Sequence, residues 1–153
     1  MLRRIFLATV LSVAFAGAAS AATTHYVARL DASKEVPRND SPGTGTLVAT
    51  YDSRTKEFSY TLTFDGLTGP ATAAHLHGPA LHGQNAGVIA PIGEQNPVSP
   101  VTGTLTLTDD QFKDLRASRI YVNIHTAANP GGEIRGQVVH VTRKRARAAA
   151  SDG

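Results

Sequence analysis

The sequence predicts an all-β domain, an antiparallel Greek-key β-sandwich with one short helix near 109–117. Three observations carry this. Apolar and polar residues alternate with period two in short runs along the whole chain. Gly, Pro, Asn and Asp clusters punctuate those runs at regular spacing. Only one stretch carries the start signals of a helix.

The first 21 of the 153 residues read as an export signal rather than part of the fold. Arg3 and Arg4 form a basic n-region, residues 5–19 are an apolar run, and Ala19-Ser20-Ala21 is an A-x-A cleavage site. That run is too short for a spanning helix and is followed by polar sequence. Export to the periplasm or outside the cell is therefore expected, with no membrane span after cleavage. Arg3-Arg4-Ile5-Phe6-Leu7 also resembles a twin-arginine export motif, although an ordinary secretory signal explains it equally well.

Residues 22–142 form the expected domain. Residues 25–30 are a first strand with Tyr26, Ala28 and Leu30 on one face, and 34–45 are a loop. Residues 46–51 are a second strand, joined by a polar hairpin at 52–56 to the clearest alternation of all. There Phe58, Tyr60, Leu62 and Phe64 face one way and Ser59, Thr61, Thr63 and Asp65 the other. A turn at 66–70 leads to a strand at 73–77, then to a Gly-rich loop through His82, Gly83 and Gly87. Residues 88–90 are a short strand, 91–100 are irregular, and 102–108 resume alternation with Leu105 and Leu107 inward. Thr108 with Gln111 three residues on has capping-box spacing, and Phe112 and Leu115 share a helix face. Residues 119–125 and 133–141 are the last two strands, joined by Asn129-Pro130-Gly131-Gly132. Residues 143–153 read as a basic, disordered tail whose cations at 143–147 could touch anionic surfaces.

The basic balance of the whole chain, +3, comes from its ends. Between residues 22 and 142 there are nine Lys/Arg and eleven Asp/Glu, so no nucleic-acid-binding face is expected on the fold. The chain has no cysteine, which excludes disulfides, thiolate metal sites and cysteine nucleophiles. No motif for an organic cofactor is present.

What remains is a set of histidines. On a strand, residues i and i+2 project from one face about 6.5–7 Å apart, so His75 and His77 point together. Tyr121, Asn123 and His125 share a face of a later strand. If the two strands meet, three imidazoles converge in a set suited to copper or zinc. The competing expectation is that these histidines are merely hydrogen-bonded structure. His82, just beyond His77, is an additional ligand candidate. Glu133 and Arg135 share a strand face, with a mutual salt bridge as their simplest role. Beside a metal, Glu133 could orient a histidine nitrogen and Arg135 attract a small anion, both from the second shell of the site.

The chain resembles the CHRD domain, the module named from chordin and also found in single-domain secreted bacterial proteins. The resemblance covers about residues 26–139. It rests on Lys34-Glu35-Val36-Pro37, Gly43-Thr44-Gly45, Gly66-Leu67-Thr68-Gly69-Pro70, Ala74-His75-Leu76-His77-Gly78-Pro79, Tyr121-Val122-Asn123-Ile124-His125-Thr126 and Asn129-Pro130-Gly131-Gly132-Glu133-Ile134-Arg135-Gly136-Gln137. It implies a β-sandwich of the immunoglobulin-like or superoxide-dismutase-like kind but no established activity.

A looser similarity is to copper/zinc superoxide dismutases, which hold copper with H-x-H and a later histidine. Gly66-Leu67-Thr68 before His75-Leu76-His77, and Val122-Asn123-Ile124-His125 before Gly131, Gly132 and Arg135, carry it. The disulfide and the aspartate-containing zinc loop of that family are missing, so the resemblance favours copper over zinc. The leading expectation is an exported protein binding copper through His75, His77 and His125. The alternatives are a metal-free envelope module that holds a protein or glycan, and a copper-only dismutase-like enzyme.

Overall fold

A computed structural model describes residues 23–141. The expected signal at 1–21 and tail at 143–153 lie outside the described residues.

Nine antiparallel strands and one α-helix form: β1 Thr23–Asp31, β2 Thr44–Asp52, β3 Glu57–Asp65, β4 Ala71–His77, β5 Val88–Pro91, β6 Val101–Thr106, α1 Asp109–Arg116, β7 Tyr121–Thr126, β8 Ile134–Gln137 and β9 Val139–His140. A single turn of 3-10 helix, Ala32–Lys34, follows β1. The strands make one hydrogen-bonded sheet in the order β5-β4-β7-β8-β1-β2-β3-β6, with β9 also pairing β1.

The alternation read from the sequence sets which side of each strand is core. Tyr26, Ala28 and Leu30 of β1, Leu47, Ala49 and Tyr51 of β2, and Phe58, Tyr60 and Leu62 of β3 are all buried. Burying each of the leucine and phenylalanine side chains among them stabilises by roughly 1.5–3 kcal/mol. The sheet curls around this core. The segment after β5 returns to the other edge, where Gly93 N donates to the Tyr60 hydroxyl of β3 at 3.0 Å. Ser99 Oγ, on the same connection, accepts from Phe64 N at 3.0 Å.

The helix begins where its signals place it. Thr108 Oγ1 accepts from Gln111 N at 3.2 Å, and Gln111 Oε1 accepts from Thr108 N at 2.9 Å. Phe112 stacks on Tyr51 with ring centroids 4.0 Å apart, and Leu115 is buried, so the short helix is held by packing as well as by its cap. Thr108→Ala should cost about 1 kcal/mol of stability, read as a shift in urea midpoint at unchanged m-value.

The last strand differs from its expected form. Rather than running unbroken through 133–141, it divides at Val138. Tyr121 of β7 is the cross-strand partner of Gln137, whereas Val139 and His140 pair with Val27 and Tyr26 of β1. Val138 turns its buried side chain into the core, and its N–H donates to Ile120 O at 2.9 Å. β8 thus lies between β7 and β1, and β9 continues along β1.

Candidate metal centre

Strands β4, β7 and β8 lie side by side. Their register sets His77 beside Tyr121 and Gln137, His75 beside Asn123 and Arg135, and His125 beside Ala73. One face of this patch, with Leu76, Val122, Ile124 and Ile134, is core. The opposite face carries the polar side chains, as parity requires.

The histidine candidates divide clearly. One ligating nitrogen from each of His75, His77 and His125 lies within 4.8 Å of the other two. His82 does not join them. It is exposed on the 78–87 loop and lines a separate groove with His25 and Val139.

Each of the three rings has a defined partner. His77 Nδ1 lies 3.0 Å from Ala86 O and His125 Nδ1 3.0 Å from Pro130 O. A carbonyl can only accept, so both Nδ1 atoms carry hydrogen and both Nε2 atoms are lone-pair donors. His125 Nε2 is 3.0 Å from His75 Nδ1, which therefore donates to it. His77 Nε2 is buried without a hydrogen-bond partner among the described residues. The His77 ring is clamped further by a parallel stack on Tyr121, centroids 4.9 Å apart and planes 5° apart. Arg135 covers the other side of that tyrosine, its Cζ 3.4 Å from the ring centroid.

Burial pushes the pKa of His75 down, and the neighbouring His125 adds to this. His77 is also lowered, by burial first, against the opposing Ala86 hydrogen bond and with His125, His75 and Arg135 contributing. Both shifts favour the neutral form, which is the metal-ligating form. His75 and His125 are partly exposed, which opens the cluster to solvent on one side.

Glu133 and Arg135 do not form the expected salt bridge. Glu133 is fully buried at the turn before β8. Its carboxylate accepts from Ser41 Oγ at 2.6 Å, Thr68 N at 2.6 Å, Thr68 Oγ1 at 2.7 Å, Asn129 Nδ2 at 3.2 Å and Thr126 Oγ1. Burial raises its pKa, but the hydrogen bonds from Ser41, Thr126 and Thr68 outweigh this and bring it down to about 2. No histidine nitrogen hydrogen-bonds to it. Backbone carbonyls orient the His77 and His125 rings and His125 orients His75, while Glu133 braces the turn that contains Pro130.

Arg135 is 2% exposed, so it cannot gather an anion from solvent. Its guanidinium donates to Asn85 Oδ1 at 3.0 Å and Gln84 O at 2.6 Å, fastening the 78–87 loop over the polar face. It bears on the metal-ligand candidates through the Tyr121 stack, through its charge near His77, and through the loop that carries Ala86.

Glu35 was not singled out as a site residue in the sequence. It comes from the loop after β1 and is 4% exposed over the same face. Its Oε2 accepts from Asn123 Nδ2 at 3.3 Å, while Glu35 Oε1 and Asn123 Oδ1 have no donor. Burial lifts its carboxyl pKa to about 7, against smaller lowering contributions from Arg135, the Val36 N–H and Asn123. Gly132, at φ 137°, leaves room for this pair, since a Cβ there would run into the Asn123 amide and Glu35 Oε1. The available signal was the polar Lys34-Glu35-Val36-Pro37 segment directly after an apolar strand.

The CHRD domain family profile matches residues 26–138. No curated protein and no solved structure matches the chain.

Proposed function

The chain belongs to the CHRD domain family, and we propose that it is an exported member that binds one transition-metal ion, copper in preference to zinc, through His75, His77 and His125. The observation that carries this reading is the orientation of the rings. One ligating nitrogen from each ring lies within 4.8 Å of the other two, His125 Nε2 sits 3.0 Å from His75 Nδ1, and the buried His77 Nε2 has no hydrogen-bond partner among the described residues. A buried acceptor without a donor costs about 1–3 kcal/mol, a cost that a metal bond would remove.

The spacing fits such an ion. Two nitrogens bonded to one metal at about 2.0–2.1 Å lie about 2.9–4.2 Å apart over bond angles from 90° to 180°. The His75–His125 pair, at 3.0 Å, already falls in that range, and no two ligating nitrogens of the group are more than 4.8 Å apart. His77 and His125 would bind through Nε2. His75 would bind through Nδ1 once its proton moves to Nε2. An all-imidazole set with no thiolate suits Cu and Zn, and among divalent ions copper is held most tightly. The open side of the cluster allows redox chemistry, which a dismutase-like activity would require.

Titrating metal-stripped protein with Cu(II) should give one bound equivalent with nitrogen hyperfine structure in its electron paramagnetic resonance spectrum. Excess Zn(II) should displace little of it. The His75→Ala/His125→Ala double variant should lose this binding while keeping the wild-type circular dichroism spectrum. An unchanged isotherm in that variant would overturn the proposal. Export rests on the composition of residues 1–21; no helix among the described residues is long and apolar enough to cross a membrane.

A further inference from the structure

Away from the histidine cluster, the outward face of β9, β1 and β2 is apolar where surface strands are ordinarily polar. Val139, Val27 and Val48 are cross-strand partners in a single row. Val48 is 56% exposed. These valines line a groove of about 670 Å³, within the range of small-molecule sites. The groove's other distinguishing feature is charge. Arg29, Lys34, His25 and His82 line it, and no Asp or Glu does.

Those cations are not equivalent. Lys34 Nζ is committed to Asp31 at 2.8 Å and to Arg29 O at 2.5 Å. Arg29 is exposed and makes no ion pair among the described residues. It stands two residues from Val27 on the same face of β1, about 6.5–7 Å along the strand and beside the row. We infer that this groove is a binding site for a free long-chain monocarboxylate, with the head on Arg29 and the chain along Val27, Val48 and Val139.

One uncommitted guanidinium matches one monoanion, and its planar fork can donate two parallel hydrogen bonds to a carboxylate. His25 and His82 can add hydrogen bonds at the rim. The valine row offers the chain an apolar floor whose burial contributes roughly 25 cal/mol per Å². A bilayer surface fits less well, because the valines line a groove rather than project from the domain. The segment that follows Val141 is an unsuitable occupant, since residues 143–147 carry four cations.

The site is independent of the metal proposal, so either can fail alone. Fluorescence titration of the purified protein with a dansyl-labelled undecanoate should show saturable one-to-one binding, displaced by palmitate and not by methyl palmitate. Arg29→Glu and Val48→Glu, both at exposed positions, should each weaken the probe at least tenfold without shifting the melting temperature. Equal displacement by the methyl ester would overturn the inference, as would unchanged affinity in Arg29→Glu. Co-sedimentation with anionic vesicles by protein that ignores the free probe would overturn it too.

Discussion

Glu133→Ala should be the most damaging single substitution in the domain, lowering stability by about 3–5 kcal/mol. The carboxylate has no cationic partner, so its stabilisation comes from five donors on four residues: Ser41, Thr68, Thr126 and Asn129. Truncation leaves those donors without an acceptor at a fully buried position. It also removes the brace that joins the loop before β2, the turn before β4 and the turn before β8. For a domain of this size the loss corresponds to a fall in melting temperature on the order of 10–20 °C. Glu133→Gln keeps the volume and one acceptor oxygen and should cost about half as much. The pH dependence has a definite sign. The folded carboxyl titrates at about 2 against an ordinary 4.5, so its stabilisation is complete above pH 4.5 and lost as pH falls through 2. A loss below 1 kcal/mol in Glu133→Ala, measured by urea unfolding at pH 7, would show that water replaces the carboxylate freely.

The second large effect has the opposite sign. Glu35 titrates at about 7 in the folded protein against 4.5 ordinarily. Between those values the folded state holds a proton that the unfolded chain has released. Its contribution is therefore present below pH 4.5 and lost as pH rises through 7, a decline of about 3 kcal/mol. Glu35→Gln keeps the shape and the acceptor for Asn123 but cannot ionise. The stability of Glu35→Gln relative to wild type should thus rise by about 3 kcal/mol between pH 4.5 and pH 8. The comparison matters because the lowered pKa values of His75 and His77 push wild-type stability upward with pH in part of the same window. Subtracting the variant's profile isolates the carboxyl. A difference that stays constant across this range would show that Glu35 ionises normally.

The elements of the fold that are local in sequence were the ones legible there. Alternation along β3 and the Thr108–Gln111 pair depend on residues within a few positions of each other, and both form as read. The shared face of His75, His77 and His125 was also legible, because strand parity is local and only the pairing of β4 with β7 had to be supplied. What parity could not convey was which loops fold over that face. Glu133 and Arg135 are two residues apart on the same side, so a mutual pair was the simplest expectation. Three of the five donors to the one lie more than 60 positions away, and Gln84 O, Asn85 Oδ1 and the Tyr121 ring hold the other. His82 was misplaced for a related reason. Gln84, Asn85 and Ala86 are the loop residues that bond back to the sheet, and this carries His82 to a different groove.

The pairing of β9 with β1 sets how this domain can be joined to others. Tyr26 lies opposite His140 and Val27 opposite Val139, so the two ends of the domain leave from neighbouring strands at one pole. A unit built this way can be spliced into a surface loop of a host protein without forcing the host's chain apart. In tandem arrays, each copy would hang from a narrow stalk rather than form a link in a rigid rod. Both proposed ligand sites would then rotate as one body about that stalk.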